Sequence, residues 1–199
     1  MVYRENSYMK NVLIAIAPAK FFEMELDPII KALKDEGISW EAVSSKVGQS
    51  PGTMGKAITI KRTFEDVLLK GGWNDADGII ILGGKGAELY LWNDTDLHEI
   101  VTLMNKKEKV IGAIGTAPLV LAKAKLLVKK EATVFKGPYV REMMVEDAIV
   151  VDKDVFFKDR IVTARDHTVV NEFMTSFIRY LKGDNPEFQA TKSKVGFEF

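Results

Sequence analysis

Lys109-Val110-Ile111-Gly112-Ala113-Ile114-Gly115-Thr116-Ala117-Pro118 passes from an unbroken apolar run directly into a helix opened by proline. A run of this kind reads as a strand buried on both faces, as strands of parallel sheets are. Pro118 fits the first position of a helix reaching about Lys125, because its missing N–H is not needed there. Almost nothing separates the two elements, so Gly115 stands at the apex of a sharp strand-to-helix turn. Elbows of this type lift their apical residue above the sheet, usually as a nucleophile whose oxyanion neighbouring amides then hold. Glycine takes positive φ freely, whereas another residue is strained by about 1–3 kcal/mol. This apex carries no thiol, and the chain contains no cysteine at all.

The same grammar repeats on both sides of the elbow. Asn11 to Ala17 is a second continuous apolar run. Asp27-Pro28 reads as an N-cap followed by a helix, with Leu26, Ile29, Ile30 and Leu33 on one face and Gly37 as its stop. Ser39–Ser44 reads as a strand, Gly48–Gly55 as a loop and Lys56–Ile60 as a short strand. Gly78–Leu82 is a further buried strand, broken by Gly83-Gly84. A helix is predicted over Asp96–Lys106. Shorter strands are predicted over Ala132–Phe135, Ala148–Asp152 and Arg160–Ala164, and a last helix over Thr168–Leu181 ends at Gly183. Strands alternating with helices define an α/β domain with a mostly parallel central sheet and helices on both faces. Sites in such sheets lie beyond the carboxyl ends of strands. Three strand ends therefore matter: Ala17–Glu25, Leu82–Glu88 and Ile114–Pro118. One domain is expected over residues 1–182. A polar tail follows over 183–199, whose Phe188, Val195, Phe197 and Phe199 either dock or fray.

Composition narrows the function. Lys plus Arg and Asp plus Glu number 28 each, which argues against a dedicated nucleic-acid binder. No apolar run has the length of a membrane span, and the N-terminus lacks the pattern of a secretory signal; a cytoplasmic protein is expected. Without cysteine there are no disulfides, zinc–thiolate sites or iron–sulfur clusters. Neither a cofactor nor a metal site is expected. Gly55-Lys56 lacks the remaining residues of a phosphate loop, and Gly84-Lys85-Gly86 lacks the third glycine of a dinucleotide fingerprint, where Leu89 stands. His98, alone on a charged helix, reads as a solvated surface residue.

Phe22-Glu23-Met24-Glu25-Leu26, Ile81-Leu82-Gly83-Gly84, Ile111 to Leu119 and Val162-Thr163-Ala164-Arg165 resemble the successive motifs of the ThiJ/PfpI family, in order and spacing, over about residues 10–182. The resemblance implies a flavodoxin-like three-layer sandwich of the class I glutamine amidotransferase-like type. It also implies site roles. Gly115 falls where the family carries its reactive cysteine. Glu25 matches the glutamate that contacts that cysteine, and Gly84 and Thr116 match residues whose amides form the oxyanion hole. His167 matches a pocket-lining position, and Arg165 ends the last family motif. Family activities include glyoxalase-, deglycase-, peptidase- and amidase-type reactions and stress-response roles, and members commonly form homo-oligomers. The cysteine mechanisms need a thiolate, which Gly115 cannot supply.

Two functional readings follow. One is a thiol-free pseudoenzyme that binds a small anionic or carbonyl metabolite in a retained pocket of Glu25, Gly84, Gly115 and His167. The other is a hydrolase or lyase in which Glu25 and His167 perform acid–base chemistry without a covalent intermediate. Thr116 reads as the N-cap of the following helix rather than as a nucleophile. Arg165 is expected to pair with a carboxylate near the pocket or at a subunit contact. A cavity plugged by Phe21 or Phe22 would instead favour a purely structural role.

Overall fold

The computed structural model describes residues 9–184 of the 199. The chain runs β1 (Asn11–Ala15), α1 (Glu23–Asp35), β2 (Ser39–Ser44), β3 (Gly48–Pro51), β4 (Ala57–Ile60), β5 (Arg62–Thr63), α2 (Phe64–Leu69) and α3 (Gly72–Asp75). It continues through β6 (Gly78–Ile81), a single turn α4 (Gly84–Gly86) that widens into a π-helical turn over Ala87–Leu91, α5 (Thr95–Lys106), β7 (Val110–Ile114) and α6 (Pro118–Lys123). The remainder is β8 (Glu131–Ala132), α7 (Pro138–Val145), β9 (Ile149–Val150), β10 (Val155–Lys158), β11 (Ile161–Ala164), a 3-10 turn over His167–Val169, and α8 (Val170–Leu181).

Seven strands form the central sheet in the order β10-β11-β7-β6-β1-β2-β5, and every neighbouring pair is parallel except β10–β11. Successive strand residues point to opposite faces, so the buried runs feed two cores. Leu13, Ala15, Ile79, Ile81, Ile111 and Ala113 pack with α2, α5 and α6 on one side. Val12, Ile14, Ile80, Val110 and Ile114 pack with α1 and α8 on the other. This is the three-layer sandwich implied by the sequence.

Several boundaries differ from expectation. Helix α1 begins at Glu23, not at Asp27-Pro28, and encloses Pro28. The earlier turn persists because both of its acids have partners. Glu23 accepts from the amides of Thr53, Met54 and Lys56, and its negative charge is favoured at a helix start; Glu25 accepts from Gly83. Residues 48–51, read as loop, are strand β3, paired antiparallel with β4; their turn-forming composition matched only the hairpin tip. The strands expected over 132–135 and 148–152 shrink to two-residue pieces that pair with each other. Helices α2, α3 and α7 and strand β10 were not foreseen. The tail from residue 185 onward lies outside the described residues. Among the described residues no helix is long and apolar enough to cross a membrane, and no acidic or histidine cluster could hold a metal.

Candidate functional site

The carboxyl ends of β6, β7 and β11 converge with the N-terminal turn of α1 around a cavity of about 250 Å³. Its lining includes Phe22, Glu25, Gly84, Gly115, Thr116 and His167, with Lys85, Phe135, Tyr139 and Asp166 completing it. Phe22 forms a wall rather than a plug, and Phe21 is buried elsewhere in the core.

Gly115 holds φ +67°, the left-handed conformation expected of the elbow. Its N–H donates to the Ala164 carbonyl at 3.0 Å, and its own carbonyl accepts from Phe135 N–H at 2.9 Å. The elbow is thereby tied to the end of β11 and to the segment ahead of α7. A Cβ placed on Gly115 would lie 2.5 Å from Oε1 of Glu25. The glutamate therefore fills the space through which a nucleophile's side chain would leave the backbone. A side chain at 115 would have to hold this left-handed φ and displace the Glu25 carboxyl.

Glu25 is 2 % exposed. Its Oε2 accepts the Gly83 N–H at 2.7 Å, and Oε1 has no partner among the described residues. Burial pushes the carboxyl up to about 8 against the Gly83 bond, and the nearby Asp166 charge adds to the rise. At neutral pH Glu25 is a carboxylic acid, and Oε1–H is a donor on the cavity side. Gly83 is an equally tight contact: a Cβ there would meet the Ile114 carbonyl at 2.5 Å and the Thr116 nitrogen at 2.7 Å. The glycine pair after β6 and the elbow after β7 thus touch backbone to backbone.

Thr116 is not a helix cap. Its hydroxyl donates to the Gly84 carbonyl at 3.0 Å, and Ala117 occupies the N-cap of α6 without a side-chain bond. The hydroxyl latches the two glycine turns together, and Pro118 leaves one fewer amide to cap. The Thr116 carbonyl accepts from Trp92 Nε1 at 3.0 Å. The amides of Gly84 and Thr116 have no acceptor among the described residues.

His167 lines the same cavity as Glu25, but no hydrogen bond joins them among the described residues. The imidazole stands edge-on to Phe22, with ring centroids 5.1 Å apart. Arg165 does not line this cavity. It borders a neighbouring depression with Thr133, Val140 and Asp152, because its guanidinium is drawn to Asp154 at 2.6 Å and Asp166 at 3.0 Å. Asp166 is the acid the sequence reading passed over. Burial raises its carboxyl, but the Thr168 hydroxyl and amide together with Arg165 outweigh this and hold it below the usual range. Asp followed two residues later by a hydroxyl residue is a turn-capping signal that could have exposed it. Lys85, Phe135 and Tyr139 carry no such signal, since only the fold brings them here.

His98 is half-buried rather than solvated, with Nε2 2.9 Å from the Trp92 carbonyl. Burial lowers its pKa against the effect of that bond.

A flavodoxin-like sandwich with its cavity at a strand-to-helix elbow, faced by a glutamate from the first helix, defines the class of protein. The chain belongs to the DJ-1/PfpI family, which it matches over residues 10–180. An uncharacterized protein of Methanocaldococcus jannaschii is 33% identical over 183 residues, covering 92% of this chain and 87% of that one. The deglycase PfpI of Pyrococcus furiosus is 23% identical over 171 residues, 85% of this chain and 99% of its own. Among solved structures, a ThiJ/PfpI domain protein from Brachyspira murdochii superposes with a TM-score of 0.81 at 22% identity, covering 88% of this chain and 98% of the other.

Proposed function

We propose that this chain binds a small carbonyl-containing metabolite at the Gly115 cavity without forming a covalent bond to it. The observation that carries the reading is the placement of Glu25 Oε1 2.5 Å from the Cβ position of residue 115. Where a thiolate would attack a carbonyl carbon, a neutral acid is positioned to donate to a carbonyl oxygen. The unpaired Gly84 and Thr116 amides, and a cavity of about 250 Å³ left open beside Phe22, support the same reading. Reversible, non-covalent capture needs only these donors. The proposal includes a cytoplasmic, homo-oligomeric protein, the latter checked by light scattering.

A second reading is favoured by one observation: Glu25 and His167 line the same cavity. An acid–base enzyme of hydrolase or lyase type would use Glu25 to protonate a carbonyl oxygen and His167 to take a proton from substrate or water. The deglycase name of the Pyrococcus furiosus relative, at 23% identity, is compatible with carbonyl chemistry in such a pocket.

The test adds methylglyoxal and a peptide substrate to the wild type, Glu25→Gln and Gly115→Cys. Saturable binding of methylglyoxal without turnover in the wild type is expected. Turnover in the wild type that disappears in Glu25→Gln would replace the binding reading with the enzymatic one. Activity gained only in Gly115→Cys would mark the wild type as a pseudoenzyme with an intact pocket.

A further inference from the structure

We propose that the neighbouring depression bordered by Arg165, a cavity of about 350 Å³, is a binding site for a single aliphatic α-amino acid. It shares no lining residue with the Gly115 cavity, so the inference stands apart from the binding reading above.

The site exists because a strand pairing stops short. Strands β8 and β9 pair over Glu131–Ala132 and Ile149–Val150, and the Val151 N–H then donates to the Ala132 carbonyl at 3.0 Å. Beyond this bond the chain alternates in direction. The Thr133 N–H donates to the Thr163 hydroxyl at 3.0 Å and the Phe135 N–H to the Gly115 carbonyl at 2.9 Å, both toward the central sheet. Val134, between them, therefore turns its N–H and C=O the other way, toward Val151 and Asp152. Neither group has a partner among the described residues, although Val134 is only 2 % exposed. A buried peptide group left unpaired is rare and is destabilising until something bonds to it. Val134 lines the cavity, so a donor and an acceptor stand side by side there.

The walls define the rest of the ligand. Val134, Val140, Val150 and Val151 supply branched aliphatic side chains and no ring, a surface that an aliphatic side chain covers. The rim carries charges of both signs, and all are paired: Lys136 with Asp152 at 3.0 Å, and Arg165 with Asp154 at 2.6 Å and Asp166 at 3.0 Å. A ligand of net charge would bring an unmatched charge to this rim, whereas a zwitterion brings none. The remaining bonding capacity is also of both signs. Arg165 Nη2 has no acceptor and Asp152 Oδ2 no donor among the described residues. An α-amino acid matches each feature. Its carboxylate accepts from Val134 N–H and Arg165 Nη2, its ammonium donates to the Val134 carbonyl and Asp152, and its side chain packs on the valines.

The experiment titrates ¹⁵N-labelled protein with L-leucine and follows the Val134 amide resonance, which is expected to shift saturably. Leucinamide, which lacks the carboxylate, and 4-methylpentanoate, which lacks the ammonium, are each expected to bind about tenfold or more weakly, the scale of one hydrogen bond to a charged group. Asp152→Asn, at an exposed side chain, is expected to weaken leucine several-fold. Val140→Phe, which fills the cavity, is expected to abolish the shift with the circular dichroism spectrum unchanged. Leucine leaving Val134 unmoved in the wild type would overturn the inference. So would equal affinity for leucine and 4-methylpentanoate, or leucine binding to Asp152→Asn as tightly as to the wild type. Methylglyoxal is followed at Gly115 in the same sample, so the failure of either site is read separately.

Discussion

Replacing Glu25 by glutamine should stabilise the protein at neutral pH, and the gain should depend on pH in a defined way. The carboxyl titrates near 4.5 in the unfolded chain and near 8 in the folded one. Between those values the unfolded state has lost the proton and the native state keeps it. The native state therefore binds more protons, and stability falls as pH rises. The favourable contribution is complete below 4.5 and is lost progressively up to about 8. Each pH unit in this window costs about 1.4 kcal/mol, so the loss reaches roughly 3 kcal/mol at pH 7 and roughly 5 kcal/mol at pH 8. Glutamine has the shape of the protonated acid, can still accept from Gly83, and has no proton to lose. The stability of Glu25→Gln relative to wild type should thus climb from near zero at pH 4.5 and level off above pH 8. Urea unfolding followed by circular dichroism at unit pH steps measures it, with m-values checked for constancy. A difference that stays flat from pH 5 to 8, or that falls, would refute a buried neutral Glu25.

Other consequences follow from the same geometry. Gly115→Ala should lose about 1–3 kcal/mol from left-handed strain alone, with a further penalty for displacing the Glu25 carboxyl, read as a lowered urea midpoint. Combining it with Glu25→Ala should recover the second part only. Thr116→Val removes the latch to the Gly84 carbonyl and should cost about 1–2 kcal/mol; it should also broaden the amide resonances of Gly83 and Gly84. Trp92→Phe removes the donor to the Thr116 carbonyl and should destabilise by about 1–3 kcal/mol, measured by thermal unfolding. Asp166→Asn removes a charge that raises the Glu25 pKa, so the pH at which Glu25 titrates should drop.

The fold was legible because its deciding strands are apolar throughout. Runs such as Val110–Ile114 and Gly78–Leu82 have no reading as solvent-facing elements, and the elbow at Gly115 needs no long-range information. Short edge elements were not legible. Strand β10 joins β11 through Asp159 and Arg160, both at positive φ, and Asp-Arg is not the pair that announces such a turn. Helix α2 carries a readable signal, the capping box of Thr63 and Asp66. At the site, the residues on the two glycine turns and on α1 were legible because motif spacing carries them. The aromatic walls were not, since Phe135 and Tyr139 reach the cavity only through the course of the chain after α6. Thr116 and His98 differ from expectation because each found a backbone carbonyl. Local sequence weighs a hydroxyl or an imidazole by residue type and helix pattern, whereas Thr116 bonds across the fold to the Gly84 carbonyl and His98 folds back on the Trp92 carbonyl in the turn ahead of α5.

The account turns on Glu25 standing as a neutral acid in the nucleophile's seat. Infrared difference spectroscopy between wild type and Glu25→Gln across a pH titration tests this directly. The account predicts the carbonyl stretch of a protonated carboxylic acid in the wild type at pH 7, absent from the variant and vanishing as pH passes through about 8. A carboxylate already formed at pH 6, with no such band, would contradict it.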